Sequence, residues 1–170
     1  ECPSSRINPI VQFLPNSTSI ELAGKTLTLG AWMYVPKGIE YTSPALILAY
    51  DNVQQNYLGA KKYIGNGEWQ FVVNQVELPN DIYDIGVRLY VGEQVVFWDG
   101  IVLAEGIFDV TSELPIFDNQ YANSGTWGQT RFVNLIKNGS AEIHWNNVPH
   151  NIFSFISDYG TGTWANRLNG

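Results

Sequence analysis

In the stretch KTLTLGAWMYV, residues 25–35, aromatic side chains alternate with aliphatic ones. At a period of two, Trp32 and Tyr34 share a face with Thr26, Thr28 and Gly30, while Leu27, Leu29, Ala31, Met33 and Val35 take the other. Flat rings beside hydroxyls are what a surface for the C–H face of a pyranose requires. The same rings serve as core where loops or a C-terminal tail cover them. Arg88 and Tyr90 form a second group on one face of a later strand, and a hairpin would bring Trp98 beside them. Such a trio either binds hydroxyls and stacks on a ring or forms a solvated surface cluster. Trp69 alternates with Phe71 and Val73 and reads as core.

Asp99 alternates with Phe97, Ile101 and Leu103, which places it on an otherwise apolar, inward side. A buried carboxylate must be paired, hydrogen-bonded or bound to a metal. His144 and His150 are the only histidines and lack the spacing of a zinc site. There is no Gly-x-Ser-x-Gly elbow, and the glycines from Gly59 to Gly67 lack the phosphate-cradle pattern. With one inward acid in the strand pattern, the acid–base pair of a glycoside hydrolase is not supplied. The expectation is a protein that is not an enzyme.

The composition narrows the partners. Sixteen acidic residues against nine basic ones give a formal net charge of −7, which repels phosphate backbones and anionic membranes. Nucleic acid is excluded on that ground. Hydrophobic residues at 45% against 15% charged supply a packed core in a chain of 170 residues. Cys2 is the only cysteine, so no intrachain disulfide forms. No apolar run approaches the ~20 residues of a membrane helix. Opening without Met on Glu1-Cys2-Pro3, the chain reads as a piece of something longer.

The elements that must position these residues are strands. Alternation marks residues 25–35, 68–78, 85–91 and 94–104, and residues 45–50 are a short strand with both faces apolar; with turn signals between them, this is the pattern of an antiparallel sandwich. Residues 6–22 add an edge strand limited by Pro9 and Pro15. Residues 51–67 and 109–128 read as loops. The run NLIKNGSAE, residues 134–142, reads as a strand that comes late.

Together, GKTLTLGAWMYV, GEWQFVVNQVELP, IGVRLYVGEQVVFWDGIVLAEG and NLIKNGSAE resemble carbohydrate-binding modules of the jelly-roll kind, with the usual opening strand placed last. The resemblance covers about half of the chain. It implies an all-β, antiparallel jelly-roll β-sandwich over residues 1–170, with residues 20–104 as core strands and residues 132–142 as a late-pairing strand. The other arrangement starts a second unit near Asn134, but it leaves the first with an unpaired apolar edge. The resemblance also implies that Asp99 supports a structural Ca²⁺ site, with Glu142 as the second carboxylate, or holds the opening strand. An Asp accepting backbone N–H bonds with no ion is the other reading. The tail, from SGTWG onward, resembles extracytoplasmic segments of bacterial multi-spanning membrane proteins of glycosyltransferase type. The expected function is a non-catalytic module that binds a polysaccharide or glycan outside the cytoplasm, attached to the remainder of a parent membrane or envelope protein. Trp32, Tyr34, Arg88, Tyr90 and Trp98 are its expected contacts. The alternative is a structural spacer or protein-interaction domain whose aromatics cover the core.

Overall fold

The computed structural model describes residues 10–42, 45–50, 54–89, 96–109, 113–119, 122–137, 154–157 and 160–163. In chain order the strands are β1 (Ile10–Phe13), β2 (Thr26–Tyr34), β3 (Glu40–Thr42), β4 (Ala45–Tyr50), β5 (Gln54–Leu58), β6 (Lys62–Ile64) and β7 (Trp69–Glu77). They continue as β8 (Asp84–Leu89), β9 (Phe97–Glu105), β10 (Pro115–Phe117), β11 (Ser124–Trp127), β12 (Thr130–Val133), β13 (Ser154–Ser157) and β14 (Gly160–Thr163). One short helix, α1 (Asn16–Glu21), follows β1. Every strand pairing described is antiparallel.

Alternation along β2 builds the centre of the molecule. Leu27, Leu29, Ala31 and Met33 are all buried on one face. With Val76 of β7 and Ile101 and Leu103 of β9, Leu27, Leu29 and Ala31 pack onto Ile85, Val87 and Leu89 of β8 and onto Leu14. The sheet β7-β2-β9 therefore lies face to face with the sheet β14-β13-β1-β8-β4-β5 across a shared apolar layer. The result is an all-β, sandwich-like assembly of antiparallel sheets.

A third layer covers part of the other face of β2. Val102 and Ala104 of β9 cluster there with Phe108, Trp127 and Phe132, and Phe71, Val73 and Phe117 pack around them. The covering element is the meander β10-β11-β12, whose first two strands lie in the segment expected as a loop. Its strands are three or four residues long, too short for alternation to register. Rings from both this layer and β7 crowd Gly30: a Cβ there would stand 2.6 Å from Phe71 Cζ and 3.2 Å from Trp127 Cη2. Likewise β5 and β6 occupy the stretch read as a polar loop, and α1 lies where an edge strand alone was expected. Pro15 opens that helix with φ −57° and ψ 141°, and the buried Ser19 Oγ accepts from Ile85 N–H at 3.1 Å, tying it to β8.

Residues 134–137 are not a regular strand, but they bind the outer edge of β9. Leu135 N–H donates to Leu103 C=O at 2.8 Å. The buried Asn134 Oδ1 accepts from Leu103 N–H at 2.9 Å, and its Nδ2 donates to Ile101 C=O at 2.9 Å and Ala122 C=O at 2.7 Å. Two residues on, Lys137 N–H donates to Gln12 Oε1 of β1 at 3.1 Å, so one short segment touches both facing sheets. Ile136 between them is 1% exposed, within the shared core. Glu142 lies outside the described residues.

At the end of the sandwich near β3, Tyr41 packs on Trp98 with ring centroids 5.5 Å apart. Tyr41 Oη and Trp98 Nε1 are both buried, and neither meets the distance and angle of a hydrogen bond among the described residues. Burial pushes the Tyr41 phenol well above the ordinary tyrosine range, opposed in part by the neighbouring indole N–H.

Two outcomes follow. Asn134→Ala strands two buried backbone groups of β9, each costing about 1–3 kcal/mol, so the urea midpoint falls by the equivalent of about 3 kcal/mol at unchanged slope. A shift below about 1 kcal/mol would remove Asn134 from this role. For Tyr41, the folded chain keeps a proton that the unfolded chain releases near pH ~10. That stability is complete below pH ~10 and is lost as pH rises beyond it, by up to ~1.4 kcal/mol per pH unit. Tyr63, also raised by burial, adds to the same limb. Denaturant midpoints from pH 7 to 11 will show a shallower alkaline fall for Tyr41→Phe, with stability at pH 7 equal or higher because an unpartnered hydroxyl is gone.

Candidate functional site

The outer face of β2 is covered by the meander only in part. Towards the C-terminal end of β2, register places Tyr34 opposite Trp69 of β7 on one side and Phe97 of β9 on the other. One rung back, Trp32 stands opposite Phe71 and Asp99. Residues directly opposite across an antiparallel pair share a face, so six side chains from three strands form two adjacent rungs.

The rungs differ in exposure. Phe71 meets Trp32 edge-on at 5.4 Å and Trp127 of the meander at 5.6 Å, which ties the inner rung to the third layer. The outer rung is open. Trp69 is 49% exposed and Phe97 is 53% exposed, while Tyr34 between them is half-buried. Ring centroids lie 5.9 Å apart on each side of Tyr34, at interplanar angles of 55° to Trp69 and 62° to Phe97. Ahead of Trp69, Asn66 Oδ1 accepts from Glu68 N–H at 2.9 Å and Gln70 Nε2 at 2.8 Å, which fixes the turn that delivers the indole.

A β-bulge sets this arrangement. Gly30 pairs with Val102 but Trp32 pairs with Asp99, so Gly100 and Ile101 together oppose Ala31. Gly100 has φ +54°, a conformation glycine adopts without strain. The extra residue inverts the alternation of β9. Beyond it Ile101 and Leu103 point inward; before it Phe97 and Asp99 point outward and Trp98 turns in, opposite Met33.

That inversion corrects the sequence expectations for Asp99 and Trp98, and the sheet arrangement corrects those for Arg88 and Trp69. Asp99 is not inward: it is exposed, and its Oδ1 accepts from Gly100 N–H at 2.6 Å, closing the bulge. Its Oδ2 has no partner among the described residues. Trp98 is not on a surface with Arg88, because its ring packs on Tyr41 and against the core. Arg88 lies in β8 of the facing sheet, opposite Val11 and Ala45, so β8 and β9 are not a hairpin. Trp69, read as core, is half-exposed on the open rung. Tyr90, the third member of the expected trio, lies outside the described residues. Trp32 and Tyr34 do share the outer face, beside Phe97, a residue the sequence reading did not single out. The available signal was the Asp99-Gly100 dipeptide inside a strand pattern, which marks a bulge.

Chemically, the face offers two exposed aromatic rings, a half-buried tyrosine and one carboxylate oxygen free to accept a hydrogen bond. No group of three or more His, Cys, Asp or Glu that could hold a metal is present among the described residues. Of the pair expected to hold Ca²⁺, Asp99 is exposed and Glu142 lies outside the described residues. Likewise, no helix among the described residues is long and apolar enough to cross a membrane. Models of known protein families and curated proteins give no match to this chain.

Gly100→Ala tests the bulge. A Cβ at this positive φ costs about 1–2 kcal/mol, and it would stand 3.1 Å from Trp32 Cδ1. The variant will unfold at lower denaturant and show an altered near-ultraviolet circular dichroism from the displaced Trp32. Full stability with an unchanged spectrum would show that the register inversion does not need glycine.

Proposed function

We propose that this protein is a non-catalytic carbohydrate-binding module that recognises glycans through the open rung Trp69–Tyr34–Phe97, with Asp99 beside it. The observation that carries this reading is the exposure of two large aromatic rings on the two strands that flank β2, each leaning on Tyr34 between them. A protein surface rarely leaves Trp and Phe half-bare on one rung unless something covers them. Aromatic faces match the C–H surface of a pyranose, and a carboxylate at their margin matches its hydroxyl donors. Stacking and hydrogen bonding need no nucleophile and no acid–base pair. The net charge of −7 also favours a neutral ligand over a polyanion.

The proposal includes the finer expectations that travel with it: a jelly-roll path for the strands, a setting outside the cytoplasm, and attachment to a larger envelope or membrane protein. Ca²⁺ enters only as an accessory whose effect is measured. Of the contacts expected from the sequence, Trp32 and Tyr34 stay in the proposed site, as support and floor. Trp98 leaves it as core and Arg88 as a residue of the facing sheet.

A glycan array probed with the folded protein, in Ca²⁺ and again in chelator, is the direct test. Selective binding is expected, and Trp69→Ala or Phe97→Ala will each weaken it about tenfold, the equivalent of ~1.4 kcal/mol. Both rings are half-exposed, so the variants will keep thermal stability within about 0.5–1 kcal/mol of the parent. A blank array on well-folded protein would overturn the reading in favour of a spacer or protein-interaction domain.

A further inference from the structure

The shape of the open rung restricts what it can hold, given that the rung is a sugar site as proposed above. An extended glycan lying flat across three strands needs three ring faces in about one plane. Here neither outer ring is near-parallel to Tyr34: the angles are 55° and 62°. The two exposed rings flank a half-buried one, which makes Tyr34 a floor and Trp69 and Phe97 its sides. Their strands are two apart in the sheet, hence roughly 10 Å between backbones at ~4.8 Å per strand. A pyranose touching a ring on each side at ~3.5–4.0 Å per contact spans about 8 Å between those rings. One sugar fits a gap of that width between the two rings, and two side by side do not.

Charge restricts it further. Asp99 lies two residues from Phe97 on the same outward face of β9, with Oδ1 committed to Gly100 N–H and Oδ2 open. A hydroxyl or ammonium group on the bound sugar can donate to that oxygen. A sugar carboxylate brought to the same place meets like charge.

We propose that the site is a cradle for a single neutral or amino hexopyranose unit, a chain terminus or branch held between Trp69 and Phe97 over Tyr34, and that Asp99 excludes uronic acids. Affinity therefore depends on the terminal unit and not on chain length.

The experiment is calorimetric titration of the intact chain with methyl glycosides and with oligosaccharides of one to six units, in neutral, amino and uronic acid series. Terminal sugar types are taken from the array. The expected result is affinity within about threefold from the monosaccharide glycoside to the hexamer, with the uronic acid series at least tenfold weaker. Asp99→Asn is expected to narrow that tenfold gap while Trp69→Ala weakens every series together. Affinity that climbs steadily beyond the disaccharide would overturn the single-unit cradle in favour of an extended surface, leaving the carbohydrate reading intact. Equal binding of neutral and uronic series would overturn the role of Asp99 alone. No binding in any series would overturn the underlying reading. Concentration-dependent self-association abolished by Trp69→Ala would do the same and assign the rung to a second copy of this chain.

Discussion

One extra residue in β9 governs how the rest of this molecule is organised. An ideal strand has two faces for its whole length, and β9 could then have served only one apolar layer with each. The bulge at Gly100 lets the same strand place Trp98 inward near β3, Ile101 and Leu103 inward at the centre, and Phe97 and Asp99 outward at the open end. A glycine with φ +54° and a carboxylate closing on the next amide stabilise the irregularity locally. The candidate site is a consequence of that parity change. Without it, the aromatic rung would lack Phe97 and a carboxylate would be buried in the core.

The bulged strand is also an edge of its sheet, and edges with free backbone groups invite pairing with other chains. Here one side chain performs much of the closure. The Asn134 amide mimics a peptide group, accepting from Leu103 N–H and donating to Ile101 C=O, and Leu135 continues the contact through its backbone. Because Lys137 then reaches Gln12 on the facing sheet, the covering segment also pins the two sheets at one point. Backbone satisfaction and sheet-to-sheet orientation are thus joined in four residues.

The three layers divide labour along β2. Over its first half both faces are buried, which is why Thr28 is fully buried, its hydroxyl donating to Gly106 C=O at 2.7 Å. Over its last rung the meander ends and the outer face is open. Phe71 and Trp32 mark the boundary, each packed against a neighbouring ring beside the exposed rung.

The sequence by itself determined the class and the principal strands. Period-two alternation in β2, β7, β8 and β9, and the short apolar run of β4, are local properties fixed by which side chains prefer a pleated strand, and they survive folding with shifts of a few residues. It also put Trp32 and Tyr34 on one face of β2, because no irregularity interrupts that strand. Short elements escaped it: β5, β6, β10, β11 and α1 offer too few residues for a period to show. The faces of Asp99, Phe97 and Trp98 were decided by tertiary structure, because a bulge one residue long reverses every assignment on its far side. So were the exposure of Trp69 and the separation of Arg88 from Trp98. Which sheet a strand joins, and where a covering layer stops, depend on contacts between residues distant in the chain, and alternation carries no information about those.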